Sequence, residues 1–410
     1  MIQVTPHLPL IALARDGQAY HGELIAISEV SAQVELRQHD LSVKPTDIRS
    51  ILIGSKSNPS AVFKIEGSID GLLSFDRDSQ PEIRDFLHGL RKSQHLEICA
   101  NHDVEHSSRR NGFEDVELPV LALPETSWAD IATSVSFLGR TFSAPILITG
   151  MTGGVAQGTI INERLAEAAT AHNIPMGVGS QRMALENEAH ADIFRVKRKY
   201  PKLFLIGNIG IGQLRSKDYL DFCQRAVDMI SADALAIHVN VLQELIQIEG
   251  DRDFRGVIEK IGHVTTKLKR PVIVKEVGVG LDVPTAKRLA EVGVSCFDVG
   301  GSGGTSWALI EGLRSIDPII RRRGEVFRNW GIPTAKAVRD LRLALPKSSI
   351  IATGGVRDGL TVLKALHVGA NMAGIGLPLM RAAIEGADQS SKLLGAIIDE
   401  IKIAKMCSGL

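Results

Sequence analysis

The residues best suited to chemistry stand at the ends of apolar runs. His238, Asn240, Gln243 and Glu244 share HVNVLQE, and Lys275 interrupts VIVKEVG. A lysine among aliphatic neighbours is costly to bury unless its ammonium meets an anion, so Lys275 reads as a ligand contact. A salt bridge to Glu276 is the alternative, but successive strand residues face opposite sides. His238 and Asn240, two positions apart, share one strand face, while Gln243 and Glu244 fall in the following loop. Glu244 could hold Mg²⁺ through one carboxylate, with waters and substrate phosphates completing the shell that ion prefers. Alone, it reads as a solvated loop carboxylate.

Two glycine clusters, GGSGGTSW at 300–307 and TGGVRDG at 353–359, would let backbone N–H groups approach a phosphate. Any one of these glycines reads equally as a turn residue, and it is their coincidence that points to a phosphate-bearing ligand. Arg182 in GSQR, and Arg91, Lys92 and His95 in RKSQH, offer donors suited to a diphosphate. A solvated helix face is the plainer reading of RKSQH taken by itself.

Something must hold these groups together. Eight apolar segments alternate with helical stretches: PILITG from Pro145, PMGVG from Pro175, LFLIGNIG from Leu203, ADALAIHVN from Ala232, RPVIVKEVG from Arg270, SCFDVGG from Ser295, SIIATGG from Ser349 and NMAGIG from Asn371. Eight such units predict an α/β fold, a closed (β/α)₈ TIM barrel, better than an open Rossmann sheet. Function in that architecture gathers at the C-terminal ends of strands, where the residues above fall. The interval from Gly301 to Ser349 is long for one connection. It reads as an active-site cover, or as an exposed basic surface or subunit contact around Arg321 to Arg323.

Upstream, GELIAI, AQVEL, RSILIG, AVFKIEG and GLLSF are separated by turn signals. They predict a small β-rich domain over residues 1–86 without chemistry of its own, and a barrel domain over 87–410. A helix is expected from Gln80 to Leu90. Lys plus Arg equals Asp plus Glu at 47 each, which argues against nucleic acid or an anionic membrane as partner. The four cysteines form no CxxC pair and read as incidental thiols of a reducing compartment. With no signal-peptide pattern and no run of about 18 uncharged apolar residues, the expected location is the cytoplasm.

From Arg91 to about Cys407, nearly four-fifths of its length, the chain resembles type 2 isopentenyl-diphosphate isomerases. RKSQH, NGFEDVELPVLALPE from Asn111, SAPILITGMTGG from Ser143, GSQR, HVNVLQE, GDRDFRG from Gly250, VIVKEVG, GGSGGTSW, GIPTA from Gly331 and TGGVRDG carry the likeness. The combination of RKxxH, HxNxxQE and GGTSW makes it specific.

The resemblance implies an FMN-binding barrel acting on isopentenyl and dimethylallyl diphosphates, with reduced FMN as acid and base through N5, Mg²⁺, and NADPH as reductant. It places FMN against Met151, Thr152, Gly153, Ser180, Asn208, Lys275, Thr305, Gly355, Arg357 and Ala370. The diphosphate falls to Arg91, Lys92, His95, Arg182, His238, Asn240 and the backbone beside Ser302, with Glu244 on Mg²⁺ and Gln243 over the allylic carbons. Gln243, Lys275 and His238 are the implied catalytic group. A homo-oligomer, tetramer or octamer, is implied too. The family usually begins near RKxxH and runs on past the equivalent of KMCSGL, so residues 1–86 are expected to be an accessory module, and the short end could weaken a subunit contact. A hydroxy-acid oxidoreductase would need a histidine before Arg357 that is missing here. A phosphometabolite sensor would not need Lys275, Gln243 and Glu244.

Overall fold

Alternation along eight short aliphatic strands builds the larger part of this computed structural model, which describes residues 2–14, 19–27, 31–36, 48–54, 59–69, 72–75, 80–151, 153, 156–247, 250–315 and 317–410. The chain forms two compact units, Met1–Ile98 with Leu313–Arg321, and Cys99–Gly312 with Arg322–Leu410.

In the first unit, β1 (Ile2–Ala14), β2 (Ala19–Ile27), β3 (Ser31–Leu36), β4 (Ile48–Gly54), β5 (Pro59–Ile69) and β6 (Leu72–Phe75) close an antiparallel barrel in the order β1-β2-β3-β6-β5-β4. Its interior gathers Leu10, Leu24, Ile27, Ile51, Phe63 and neighbours. The long helix α1 (Gln80–Asn101) adds Ile83 to that core, with Phe86 and Leu90 packed against it. Phe86 meets Phe63 edge-on at 5.4 Å between centroids. Strand β1 escapes the sequence reading because Pro6 and Pro9 argue against a strand; a register shift between Gln3 and Leu8 takes up the irregularity. Helix α1 runs through residue 86 without a break and carries RKSQH on its later turns.

In the second unit a hairpin of β7 (Val135–Phe137) and β8 (Arg140–Phe142) precedes the strands β9 (Ile146–Ile148), β10 (Met176–Gly177), β11 (Leu205–Gly210), β12 (Ala234–Val239), β13 (Val272–Glu276), β14 (Cys296–Asp298), β15 (Ser349–Thr353) and β16 (Met372–Ile375). All eight pair in parallel, and β16 closes on β9. The predicted (β/α)₈ barrel is the observed one.

The intervening helices are α2 (Ala156–Ala171), α3 (Arg182–Glu186), α4 (Tyr219–Ile230), α5 (Val241–Ile246), α6 (Val257–Lys267), α7 (Val283–Glu291), α8 (Trp307–Arg314), α9 (Pro318–Val326), α10 (Thr334–Ala344), α11 (Gly359–His367), α12 (Leu377–Glu385) and α13 (Gln389–Ser408). Their sequences explain their packing: α4 buries Cys223, Ala226, Val227 and Ile230 at helical spacing. Asp282 and Asp358 cap α7 and α11 by accepting N–H bonds from Thr285 and Thr361 at 2.8 and 2.7 Å. The long interval before β15 holds α8, α9 and α10, with Arg321, Arg322 and Arg323 exposed on α9. No described helix is long and apolar enough to cross a membrane.

The barrel interior follows the two-residue period of its strands. Leu147, Ile206, Ala236, Ile273, Cys296 and Ile351 pack into one cluster, and Phe137 and Phe142 of the hairpin join it. Two residues further along the same strands, on the same face, stand Thr149, Asn208, His238, Lys275, Asp298 and Thr353. An apolar layer therefore supports a polar layer at the C-terminal ends of the strands, where barrel chemistry is built.

Candidate active site at the barrel mouth

Four of the polar-layer residues, Thr149, Asn208, Lys275 and Asp298, line one pocket floored by aliphatic side chains. Lys275, only 9% exposed, donates from Nζ to the Glu276 backbone carbonyl at 3.1 Å. The Glu276 side chain is engaged elsewhere, its Oε2 accepting backbone N–H groups from Val277, Gly278, Val279 and Gly280 at 2.6 to 3.0 Å. Burial pushes its carboxyl up to about 7, against the downward pull of those four donors. The expected opposition of Lys275 and Glu276 side chains therefore holds, and Glu276 ties down the loop after β13.

His238 is held by a chain of amides. Its Nδ1 lies 2.9 Å from Asn208 Oδ1, while Asn208 Nδ2 donates to the Val178 carbonyl at 3.0 Å. A carbonyl can only accept, so the Asn208 oxygen faces His238 and the imidazole carries its hydrogen on Nδ1. Gln181 stands behind, accepting from Asn208 N at 2.8 Å and donating to the Ala226 carbonyl at 2.8 Å. The other ring nitrogen, Nε2, lies 2.6 Å from where a Cβ on residue 210 would sit, so glycine alone leaves room there.

Gln243 and Glu244, expected in a loop, lie on the short helix α5 immediately after Asn240. Asn240 Nδ2 donates to Glu244 Oε1 at 2.7 Å and to Gln243 Oε1 at 3.3 Å. Gln243 Nε2 donates to Glu311 Oε1 at 2.8 Å. An ionised carboxylate can only accept, so Glu311 fixes which end of the Gln243 amide points where. Glu244 Oε2 takes the Asp251 N–H at 2.9 Å, which leaves lone pairs on both carboxylate oxygens. Among the described residues no three His, Cys, Asp or Glu side chains converge as a metal cluster.

The two glycine clusters form one cradle. A Cβ on Gly304 would lie 2.3 Å from Gly355 N, and one on Gly355 would lie 2.3 Å from the Gly303 carbonyl. Gly303 and Gly355 also have φ of 109° and 78°, which disfavours any side chain. Buried within this cradle, Ser302 Oγ has no hydrogen-bond partner among the described residues, as a group awaiting a phosphate oxygen would. The segment before the barrel lies over it: His106 N donates to the Gly304 carbonyl at 2.9 Å and Asn111 Nδ2 to the Gly355 carbonyl at 2.8 Å. Burial holds the His106 imidazole below its ordinary value, favouring the neutral ring. Gly359 has another duty, since a Cβ there would meet Ile397 O and Glu400 Cβ at 2.5 Å in α13.

Most other expected residues reach this mouth. Met151 reaches the end of β16, its Sδ lying 3.0 Å from a Cβ placed on Gly376, and a Cβ on Gly153 would lie 3.5 Å from the Ser180 carbonyl. Thr305 forms a β-bridge with Glu105. Arg357 is paired with the Glu105 carboxylate rather than standing ready for a phosphate. Arg182 begins α3 and bonds Glu186 at 2.8 Å. Ala370 is a correction: it precedes β16 and so lies at the N-terminal end of that strand, opposite the mouth. Thr152 lies outside the described residues. Arg91, Lys92 and His95 sit on α1 in the first unit. Arg91 and His95 are 9% and 8% exposed, so the helix face there is not a solvated one.

Asp298, Glu311, His106 and Asn111 escape the sequence reading as site residues. Asp298 and Glu311 carry a legible signal, an acid inside an otherwise apolar strand or helix. The segment bearing His106 and Asn111 has no periodicity to place it.

A polar ring at the strand ends, a buried lysine and two glycine loops packed against each other occupy the C-terminal face of this (β/α)₈ barrel. The FMN-dependent dehydrogenase family matches residues 225–410. Solved structures of mandelate oxidase share the fold, one with (S)-2-phenylpropionate giving a TM-score of 0.52 at 19% identity over 77% of this chain and 90% of that one. A second, a variant of that oxidase with 4-Br-2-hydroxy-methylphenylacetate, gives 0.53 at 19% over 77% and 91%. Nearer in sequence, the isopentenyl-diphosphate delta-isomerase of Nostoc sp. is 43% identical over 78% of this chain and 91% of its own length. Those of Cronobacter sakazakii and Methanosarcina acetivorans are each 43% identical over 78% of this chain, covering 92% and 87% of their own lengths. The chain belongs to the type 2, FMN-dependent isopentenyl-diphosphate delta-isomerase family.

Proposed function

We propose that this protein interconverts isopentenyl and dimethylallyl diphosphates on reduced FMN. The observation that carries the reading is the register that sets His238 beside Lys275 at the strand ends, with Gln243, held between Asn240 and Glu311, on the helix that follows β12. FMN fits the residues present: glycines 303, 304 and 355 with the buried Ser302 hydroxyl suit its phosphate, and Lys275 its ring. When bound in its reduced form, FMN supplies the acid and base that so weakly basic an alkene requires.

The chain's own residues do the rest. Lys275 brings a positive charge to an electron-rich ring in a pocket of low polarity, where it acts more strongly than in water. Gln243 would lie over the allylic carbons, its amide orientation set by Glu311. His238, with hydrogen on Nδ1 fixed by Asn208, would offer Nε2, which lies beside Gly210, to the diphosphate, and Asn240 would orient Gln243 and Glu244. Arg182 is the further diphosphate contact of this reading within the barrel. Glu244 would hold Mg²⁺, whose charge offsets that of the diphosphate. NADPH is the physiological reductant, and the setting is a cytoplasmic homo-oligomer, with residues 1–86 an accessory module.

The test is anaerobic turnover of isopentenyl diphosphate to dimethylallyl diphosphate with FMN, Mg²⁺ and a chemical reductant each present or withheld. Product is expected only when reduced FMN is present. Absence of product from FMN-loaded, reduced protein would overturn the reading.

A further inference from the structure

Three titratable side chains stand side by side across the mouth, because β12, β13 and β14 pair in register His238 to Lys275 and Lys275 to Asp298. His238 and Lys275 have roles in the proposed reaction; Asp298 has none. Yet it is 3% exposed, and it and Lys275 are the two ionisable residues among those lining the pocket. An acid is expensive to bury, and this one is not left over from a surface ion pair.

We propose that Asp298 is the counter-charge of Lys275 and sets how strongly the site favours reduced over oxidised FMN. It is a positioning residue, acting on the cofactor through the charge balance of the pocket. The inference rests on the FMN-dependent reading above.

Three observations support it. Glu276, adjacent to Lys275 in sequence, is occupied by four backbone N–H groups, so it is not the partner charge. Asp298 is built to be held in place: Oδ1 accepts from the Thr353 hydroxyl and from Gly300 N, the latter at 3.3 Å. Both donors belong to the cradle loops, so the carboxylate is fixed to the parts that would carry the phosphate. Burial pushes the Asp298 carboxyl upward, and the Lys275 ammonium is the largest influence drawing it back. In a pocket of low dielectric, an ionised Asp298 would offset much of the Lys275 charge at the ring. Lys275 alone would pull the equilibrium toward the electron-rich reduced form, and Asp298 moderates that pull.

The experiment is a spectroelectrochemical titration of the full-length, FMN-loaded protein and its Asp298→Asn form. Asparagine keeps the acceptor for Thr353 and Gly300 and removes only the charge. At a fixed applied potential the reduced-to-oxidised ratio should rise about tenfold, which for a two-electron couple is about 30 mV. The same comparison between Lys275→Gln and Lys275→Gln/Asp298→Asn covers the case in which the single variant fails to fold, and it too should move toward reduced FMN. A bracing residue alone would lower the melting temperature and leave the ratio within a factor of two in both comparisons, which would overturn the proposal. A wild-type protein that binds no FMN would instead overturn the functional reading itself, and this inference with it.

Discussion

Gln243 Nε2 donates to Glu311 Oε1 across 2.8 Å, joining helix α5 to helix α8 over 68 residues of sequence. The Glu311 side chain is 2% exposed, so it acts on groups within the protein and not in solvent. Removing it leaves the half-buried Gln243 amide without its acceptor, at a cost of about 1–3 kcal/mol. Glu311→Ala should therefore lower kcat by about 10- to 100-fold. KM for the diphosphate should change little, since the anion is held by other residues. Glu311→Gln, which can still accept, should recover part of the loss. Steady-state kinetics of the three forms check this, and unchanged kcat in the alanine form would remove Glu311 from the mechanism.

The amide behind His238 makes a different prediction. Asn208→Leu keeps the volume of the layer but takes away the acceptor for Nδ1–H and frees the ring to change tautomer. If Nε2 serves the diphosphate, the loss should fall on kcat/KM through KM, by about tenfold or more. A fall in kcat alone, with KM unchanged, would place His238 in the proton-transfer step.

Strand periodicity makes the barrel legible before any coordinates, and the same periodicity sets His238 and Lys275 at its mouth. It also marks Asp298, which stands two residues after inward-facing Cys296 on β14. That mark is easily overlooked, because a lone acid in SCFDVGG has no partner within the local sequence; Lys275 is adjacent only through strand pairing. Glu311 is hidden for a similar reason, since its partner Gln243 is 68 residues away. Strand β1 is masked by its prolines, and α5 by a stretch too short for a helical period. Arg357 is a further case: the motif names it without showing that Glu105 engages it.

The glycine cradle predicts a failure of cofactor binding separable from folding. Gly304→Ala places a methyl group 2.3 Å from Gly355 N, and backbone on both sides cannot swing away. The two loops must separate, which widens the cradle. FMN affinity, followed by quenching of its fluorescence, should fall by at least tenfold, while the barrel still unfolds cooperatively. Undiminished affinity would mean that the phosphate lies elsewhere.

Glu276 supplies a pH dependence of definite sign. Its carboxyl, ordinarily near 4.5, is pushed up to about 7 by burial. Between those values the folded protein binds more protons than the unfolded chain, so this group's contribution to stability is full below about pH 4.5 and is lost as pH rises through 7. The span is worth about 3 kcal/mol at most. Glu276→Gln mimics the protonated form and can still accept from the loop N–H groups. Relative to wild type, the variant should therefore gain stability between pH 5 and pH 8 in urea unfolding, by up to about 3 kcal/mol. If wild type gains instead, the four N–H groups outweigh burial, and the loop from Val277 to Gly280 is held by an ionised carboxylate throughout that range. The result bears on activity as well, because Glu276 and this loop line the pocket that contains Gln243 and Trp307. A loop that loosens near neutrality should show its effect first in kcat, through Gln243.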